Sequence, residues 1–213
     1  MGRSRGLPTF LRTGAELMTI EPVVLKGDRV EMEPLNLDHV ARLCACGLNE
    51  DLWRLTANQI TTEDEMRSYV ESALSDQSRG LSLPFATKLS ESDKIVGSTR
   101  FGNIDAPNRK VEIGWTWVDP QWQRSFVNTE AKLLMLTHAF EDWGCVRVEF
   151  KTDALNEKSR NAILRLGAKE EGTLRNHMIT DRGRFRNSVY FSIIDTEWEQ
   201  VKSGLVQKLR SFQ

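Results

Sequence analysis

The segment from Val111 to Gly144 combines residue types and spacings that could bind an anion. A β-rich run ends at Asp119 and Pro120, a short polar loop follows, and an apolar-periodic helix is predicted over residues 129–143. The first turn of a helix leaves backbone N–H groups without intrahelical acceptors, and the macrodipole places positive potential there. This order of elements therefore predicts a diphosphate site, with the preceding strand offering N–H groups to an extended ligand. Alone, it would also fit an ordinary β-turn-α connection.

Glu112 and His177 are the titrating side chains best suited to accept a proton in such a site. Glu112 shares a strand face with Gly114 and Thr116 by the period of two. A carboxylate there could act as a general base, most simply through a water molecule. The unperturbed pKa of histidine suits the same task. A solvated strand residue explains Glu112 almost as well, so the identity of the base stays open.

A second strand-to-helix unit follows along the chain. Residues 146–152 are predicted as a strand, and residues 156–166 as a helix that ends at Gly167. Asn156 has the side chain of an N-cap, and Ser159 stands at the third helical position. Asn156 and Ser159 are thus predicted to form a second polar site at the end of the neighbouring strand.

The other predicted elements are mainly strands. Thr62 and Glu65 have the spacing of a capping box at a helix start. A long β-meander followed by βα units favours an α/β fold of the α+β type, with a mixed, mostly antiparallel central sheet flanked by helices. Strands are predicted over residues 29–34, 82–89, 95–104, 111–118, 171–179 and 185–194, and helices after an N-cap at Asp38, over 63–75 and over 196–209.

The composition limits the classes of function. A chain of 213 residues that is 39% hydrophobic predicts one domain, placed at residues 19–213 after a flexible N-terminal extension or tag at 1–18. Lys plus Arg (29) nearly equals Asp plus Glu (30), so the protein has no net positive charge that would attract nucleic acid or an anionic membrane. Three cysteines without metal-like spacing predict reduced thiols, no metal and a cytoplasmic location. No apolar run approaches the length of a membrane span.

Five short motifs carry more information by their order and spacing than any one of them alone. They are IVGSTRFGNID at 95–105, VEIGW at 111–115, QRSFVNTEAK at 123–132, the N-x-x-S of Asn156 to Ser159, and LGAKEEGTLR at 166–175. In these motifs the chain resembles the GNAT superfamily of acyl-CoA-dependent N-acetyltransferases, especially the RimJ/RimL-like branch of protein N-terminal acetyltransferases. The resemblance covers residues 28–198 and implies a GNAT fold.

The resemblance implies where acyl-CoA, most simply acetyl-CoA, would bind. The strand before the loop is expected to splay from its neighbour, so that backbone N–H groups bond the pantetheine arm and the acyl oxygen. Ser159 is expected near the thioester sulfur, where its hydroxyl could protonate the departing thiolate. The expected cofactor-binding residues are Trp117, Val118, Gln123, Arg124, Ser125, Phe126, Val127, Asn128 and Asn156.

The loop departs from the superfamily pattern Gln/Arg-x-x-Gly-x-Gly/Ala. Phe126 and Asn128 occupy the positions of the two glycines. Glycine is favoured where backbone approaches phosphate closely or takes a positive φ. Either the loop makes a right-handed turn that tolerates side chains, with Arg124 and Ser125 adding contacts, or it holds the cofactor poorly.

The expected activity is transfer of an acyl group to a primary amine, either a protein N-terminus or a small molecule, directly within a ternary complex. Succinyl or a longer acyl group is an alternative to acetyl, and a homodimer is a further expectation. A non-catalytic acyl-CoA-binding regulatory module is the alternative from another class. Trp53, on a predicted loop, could form a wall of the acceptor site. Four arginines are most simply a solvated hairpin, but could guide an acidic acceptor or the 3′-phosphate of CoA: Arg175, Arg182, Arg184 and Arg186.

Overall fold

A computed structural model describes residues 18–212. In this part of the chain eight strands form one sheet, in the order β1-β2-β3-β4-β5-β6-β8-β7. All neighbours pair antiparallel except β5 and β6, which confirms the expected mixed, mostly antiparallel GNAT sheet. The strands are β1 Leu25–Lys26, β2 Val30–Pro34, β3 Leu83–Leu89, β4 Ile95–Asp105, β5 Lys110–Val118, β6 Arg147–Asp153, β7 Lys169–Ile179 and β8 Phe185–Ile194.

Six α-helices flank this sheet among residues 18–212. Short 3₁₀ turns at Leu37–His39, Pro120–Trp122 and Asp195–Glu197 precede three of them. The helices are α1 Val40–Gly47, α2 Glu50–Trp53, α3 Glu63–Ser78, α4 Phe126–Thr137, α5 Glu157–Leu166 and α6 Trp198–Arg210. None of them is long and apolar enough to cross a membrane.

Two apolar clusters, one on each side of the sheet, hold the helices in place. The larger cluster packs α4 and α6 against inward residues of the strands, such as Ile113 and Phe150. The smaller packs α1, α2 and α3 against the opposite face, where Trp117 lies. Because successive side chains of a strand point to opposite faces, Glu112 points away from the larger cluster that contains Ile113.

The strands β5 and β6 run side by side only at their beginnings. Lys110–Glu112 of β5 pairs with residues 147–149 of β6, and no pairing joins the rest of β5 to β6. On its other edge β5 carries an irregularity opposite Thr99, where Trp115 takes a left-handed φ of 49°. Such a bulge bends a strand and increases its twist. We infer that the bulge contributes to the divergence of β5 from β6.

The start of α4 differs from its prediction. The helix begins at Phe126, three residues before the expected residue 129, because Ser125 is its N-cap. Oγ of Ser125 accepts the N–H of Val127 at 3.3 Å. The polar loop therefore ends at Ser125 and not at Asn128, so that its last part belongs to the first helical turn.

Helix caps elsewhere agree closely with the sequence patterns. Thr62 and Glu65 form the predicted capping box at the start of α3, which runs three residues further than expected, to Ser78. Gly167 ends α5 with a left-handed φ of 104°. Asp38 is not the cap of the first helical segment, because Asn36 accepts the N–H of Asp38 instead. Of the expected N-terminal extension, residues 1–17 lie outside the described part.

Candidate active site

A cleft of about 810 Å³ lies where β5 and β6 diverge. The end of β5 and the start of α4 form one wall, and the start of α5 forms another. Residues 55–58, which connect α2 to α3, close a third side. The edge of β5 beyond Glu112 that would pair with β6 therefore faces open space. Main-chain groups in this position can bond an extended ligand as they would bond a neighbouring strand.

Glu112 lies on the wall of this cleft and is only 3% exposed. Its Oε2 accepts a 2.8 Å hydrogen bond from Nδ2 of Asn103 and lies 3.4 Å from Nζ of Lys151. The interpretation of Glu112 as a solvated strand residue is therefore wrong. The carboxylate is buried, paired with a cation and held in one position at the cleft.

Asn156 and Ser159 stand together on the cleft wall at the start of α5. Oδ1 of Asn156 accepts the N–H of Ser159 at 3.0 Å, so the predicted N-cap is confirmed. Both residues are half-buried, and the remaining polar atoms of their side chains are available to a ligand in the cleft. Their roles in binding pantetheine and in proton transfer stay predictions.

His177 lies on β7, outside the residues that line the cleft. Its Nδ1 is 3.0 Å from Oγ of Ser188, and its Nε2 is 3.4 Å from the hydroxyl of Tyr190. Burial and the nearby charges of Lys151 and Arg186 lower the pKa of His177. The structure therefore brings Glu112, but not His177, to the same cleft as Ser159.

The residues predicted to bind the cofactor divide into two groups. Ser125 caps α4, Phe126 packs edge-on against Trp122 with ring centroids 5.9 Å apart, and Val127 is buried in the larger cluster. These three are not part of the cleft lining. The other predicted residues line the cleft: Trp117, Val118, Gln123, Arg124, Asn128 and Asn156.

The absence of glycine from the loop has a structural explanation. Phe126 and Asn128 lie in the right-handed first turn of α4, where no positive φ is required. Arg124 instead takes the left-handed conformation, with φ of 62°. The ring of Phe126 points towards the core, under the guanidinium of Arg29 at 4.2 Å, and leaves the cleft open. The loop thus makes the turn that tolerates side chains.

Sequence reasoning missed Lys132, which lines the cleft from α4. Its Nζ donates to Oγ1 of Thr99 at 3.0 Å and to Oγ1 of Thr116 at 2.8 Å. Burial lowers the pKa of Lys132 to about 7. The signal was its spacing of three and four from Met135 and Leu136, which places a cation on the buried face of the helix.

Arg186 was expected in a solvated hairpin, and for this residue the prediction is wrong. It is 7% exposed and lines the cleft from β8. Its Nε lies 3.9 Å from Oδ2 of Asp153. The β7–β8 hairpin reaches the loop after α2, where the N–H of Asp181 donates to the carbonyl of Ala57 at 3.1 Å. This contact joins distant parts of the chain and has no local signature in the sequence.

Aromatic side chains line the side of the cleft formed by the smaller cluster. Trp53, predicted on a loop, is the last residue of α2, and its indole donates to the carbonyl of Gly47 at 2.7 Å. It packs against Trp117 with ring centroids 5.6 Å apart. Trp115 is 38% exposed, with the guanidinium of Arg100 at 4.8 Å over its ring. The expectation that Trp53 could help to form a cleft wall agrees with its position.

Comparisons with known proteins identify the family. Residues 29–169 match the model described as "Acetyltransferase (GNAT) domain". A Bacillus subtilis (strain 168) protein named "Putative ribosomal N-acetyltransferase YdaF" is 34% identical over 108 residues, which are 51% of this chain and 58% of that protein. The match thus spans less than two thirds of the length of this relative.

Solved structures agree with the sequence match. A GCN5-related N-acetyltransferase from Brucella melitensis is 29% identical, with a TM-score of 0.82 over 89% of this chain and 86% of that one. Mycobacterium smegmatis RimJ in complex with CoA-disulfide shares the fold, with 23% identity and a TM-score of 0.72 over 87% of this chain and 91% of that one.

The matched range reaches from β2 to the end of α5 and so contains the elements that form most of the cleft. It also contains the two strands whose divergence opens that cleft. This chain belongs to the GNAT family of acetyltransferases.

Proposed function

We propose that the protein transfers an acetyl group from acetyl-CoA to a primary amine in a ternary complex, without a covalent enzyme intermediate. The observation that supports this most is the divergence of β5 from β6 after Glu112. It creates a slot for an extended donor beside a buried carboxylate that could receive the proton of the acceptor.

Donor binding is assigned to β5, α4 and α5. The main chain of Trp117 and Val118 would bind the pantetheine arm along the open edge of β5. Arg124 lines the cleft just before the N-terminus of α4, where a cation and a helix start both favour a diphosphate. Asn156 uses Oδ1 to cap α5, which leaves its amide nitrogen for the pantetheine arm.

Two side chains are assigned to proton transfer. The amine attacks the thioester carbon, the carbon–sulfur bond breaks and the thiolate leaves. Glu112 accepts the proton that the amine loses, which for a positioned base contributes about 10²–10⁴ in rate. Ser159, in the first turn of α5, donates a proton to the thiolate and regains one from solvent, to which Glu112 later returns the proton it took. Backbone N–H groups on the open edge of β5 would stabilise the charge that develops on the acyl oxygen.

The acceptor is proposed to be a protein N-terminus or a small primary amine. The name of the Bacillus subtilis relative, a ribosomal N-acetyltransferase, supports the first of these. The loop at residues 55–58 and Trp115 border the cleft on the side away from α4, so an acceptor would enter there.

An acceptor screen separates an enzyme from a module that only binds acyl-CoA. The full chain is mixed with acetyl-CoA or succinyl-CoA and with a panel of amines and N-terminal peptides, and released thiol is measured. We expect thiol release that requires an amine and is faster with acetyl-CoA. A calorimetric titration measures the binding of CoA in parallel. Binding heat without thiol release from any amine would favour the non-catalytic alternative. No heat on adding CoA would contradict both.

Three finer features belong to the same proposal. All three cysteines are free, and burial raises the pKa of Cys145 and Cys46 to about 12, which suits a protein of the reducing cytoplasm. A homodimer is proposed, and analytical ultracentrifugation would test it. With Lys plus Arg nearly balanced by Asp plus Glu, we expect binding to neither nucleic acid nor membranes.

A further inference from the structure

Arg186 is a buried cation on the cleft wall, and it has no role in the reaction proposed above. It lies on β8 and is 7% exposed. It shares a strand face with Ser188 and Tyr190, whereas Val189 belongs to the larger cluster beneath α4 and α6. Arg186 therefore points to the side of the sheet opposite α4, the side from which we expect the acceptor to enter.

The charged residues around Arg186 include more cations than carboxylates. Glu112 pairs with Lys151 at 3.4 Å. The fully buried Asp153 pairs with Arg184 through a direct hydrogen bond. Asp153 also lies 3.9 Å from Arg186, so three cations face two carboxylates and one positive charge is left over.

The guanidinium of Arg186 also lacks hydrogen-bond partners. Its Nε is buried and makes no hydrogen bond within residues 18–212. Its nearest carboxylate oxygen, Oδ2 of Asp153, lies 3.9 Å away, beyond hydrogen-bonding distance. Burial of a cation without such partners is costly, and it lowers the pKa of Arg186. A buried donor without an acceptor at a cleft wall is the expected state of a group that awaits a ligand.

A carboxylate is the ligand that matches this group. A guanidinium presents its N–H donors in a planar fork that fits both oxygens of a carboxylate. The phosphates of the donor are expected elsewhere, beside Arg124 at the start of α4, on the other side of the sheet. We propose that Arg186 binds a carboxylate of the acceptor, so that the preferred substrate is an amine that carries a carboxylate close to the reacting nitrogen. This inference rests on the proposed function.

The test compares acceptors that differ only in charge. Glycine, β-alanine, γ-aminobutyrate and the peptides Ser-Glu and Ser-Ala are each assayed beside the matching carboxamide, with acetyl-CoA and thiol release as the readout. The free amino acids and the peptides distinguish the two sources of carboxylate. We expect kcat/KM for at least one carboxylate to exceed that of its carboxamide by tenfold or more, as for hydrogen bonds to charged groups.

Variants connect this preference to Arg186. In Arg186→Gln the ratio of carboxylate to carboxamide should fall towards one while the KM for acetyl-CoA stays unchanged, and Arg186→Lys should recover part of the ratio. Arg182→Gln removes the same charge from the tip of the same hairpin, outside the cleft lining, and should keep the wild-type ratio. A purely structural role would lower the rates of both acceptors equally and would overturn the inference.

Binding gives a second readout that does not depend on turnover. Trp53, Trp115 and Trp117 line the cleft, so quenching of tryptophan fluorescence reports an occupant. With CoA present, the carboxylates should quench wild type at lower concentration than their carboxamides, and Arg186→Gln should abolish the difference. Turnover of amines without any preference for carboxylates would overturn this inference and leave the proposed function intact. Preferential carboxylate binding without turnover would support the inference and contradict the proposed function.

Discussion

The side-chain nitrogen of Lys132 donates a 2.8 Å hydrogen bond to Oγ1 of Thr116, which joins α4 to the irregular part of β5. Oγ1 of Thr99 lies 2.7 Å from the same hydroxyl and accepts a second bond from Lys132. Three side chains from two strands and one helix thus form one hydrogen-bonded group, of which Lys132 and Thr116 line the cleft. The link depends on a lysine whose pKa burial lowers to about 7.

Substitution Lys132→Met should change how stability depends on pH. Above pH 7 the folded protein releases the proton of Lys132, whereas the unfolded chain keeps it up to the ordinary lysine pKa. The unfolded state then binds more protons, so the free energy of unfolding rises with pH in this window, by at most about 1.4 kcal/mol per pH unit. Below pH 7 both states hold the proton, and the buried charge costs stability. Urea unfolding of wild type and variant from pH 6 to 10 measures the difference.

The stability of Lys132→Met relative to wild type should therefore fall as pH rises through that window. Lys26→Met is the control, because the side chain of Lys26 is 73% exposed and paired with Glu31 at 3.7 Å. Parallel pH profiles for Lys132→Met and Lys26→Met would contradict the prediction.

Glu112→Gln should lower kcat by about 10²–10⁴, the usual contribution of a general base, and leave the KM for acetyl-CoA almost unchanged. The amide keeps the size of the side chain but cannot take the proton of the amine. Steady-state kinetics with saturating amine measures both constants. Glu149→Gln is a matched control, because Glu149 is the register partner of Glu112 on β6 but bonds Arg147 at 2.7 Å instead of lining the cleft. Equal losses in the two variants would remove Glu112 from its proposed role.

Asn156→Ala should have two effects that can be separated. Loss of the cap on α5 should reduce the free energy of unfolding by about 0.5–2 kcal/mol. Loss of the amide nitrogen from the cleft should also raise the KM for acetyl-CoA. Asn36→Ala removes a cap of the same kind, which accepts the N–H of Asp38 at 2.9 Å outside the cleft lining, and should affect stability alone. An unchanged KM in Asn156→Ala would limit Asn156 to its capping role.

Arg124→Ala and Phe126→Ala should separate the two functions of the glycine-free loop. Arg124 lines the cleft, so its loss should weaken CoA binding two- to fivefold, about the contribution of an exposed charge, in calorimetric titrations. Phe126 packs towards Trp122 and the core, so its loss should reduce thermal stability while CoA affinity is retained. The reverse assignment of effects would show that Phe126 faces the ligand.

Local patterns in the sequence were sufficient for most of the fold. Alternating strands, the capping box of Thr62 and Glu65 and the stop at Gly167 all depend on neighbours within a few residues, so they could be predicted. The start of α4 was misplaced because Asn128 and Thr129 also have the types of cap residues, and only the structure shows that Ser125 has that role.

The site was predicted less completely because burial depends on distant contacts. Glu112 and Ser159 were found from strand period and motif, and both reach the cleft. Arg186 could not be distinguished from its exposed neighbours, since its burial against the cleft depends on residues distant in the sequence, such as Asp153. The spacing of Lys132 from Met135 and Leu136 indicates the buried face of α4. Because lysine is usually exposed, this spacing was not taken as evidence of a site.

The parallel seam between β5 and β6 contains three register pairs, and these connect the sheet half β1–β5 to the half β6–β8. A coenzyme lying in the slot would bridge the two halves much as a ninth strand would. Donor binding should then slow amide hydrogen exchange on both sides of the seam, in β5 as well as in β6.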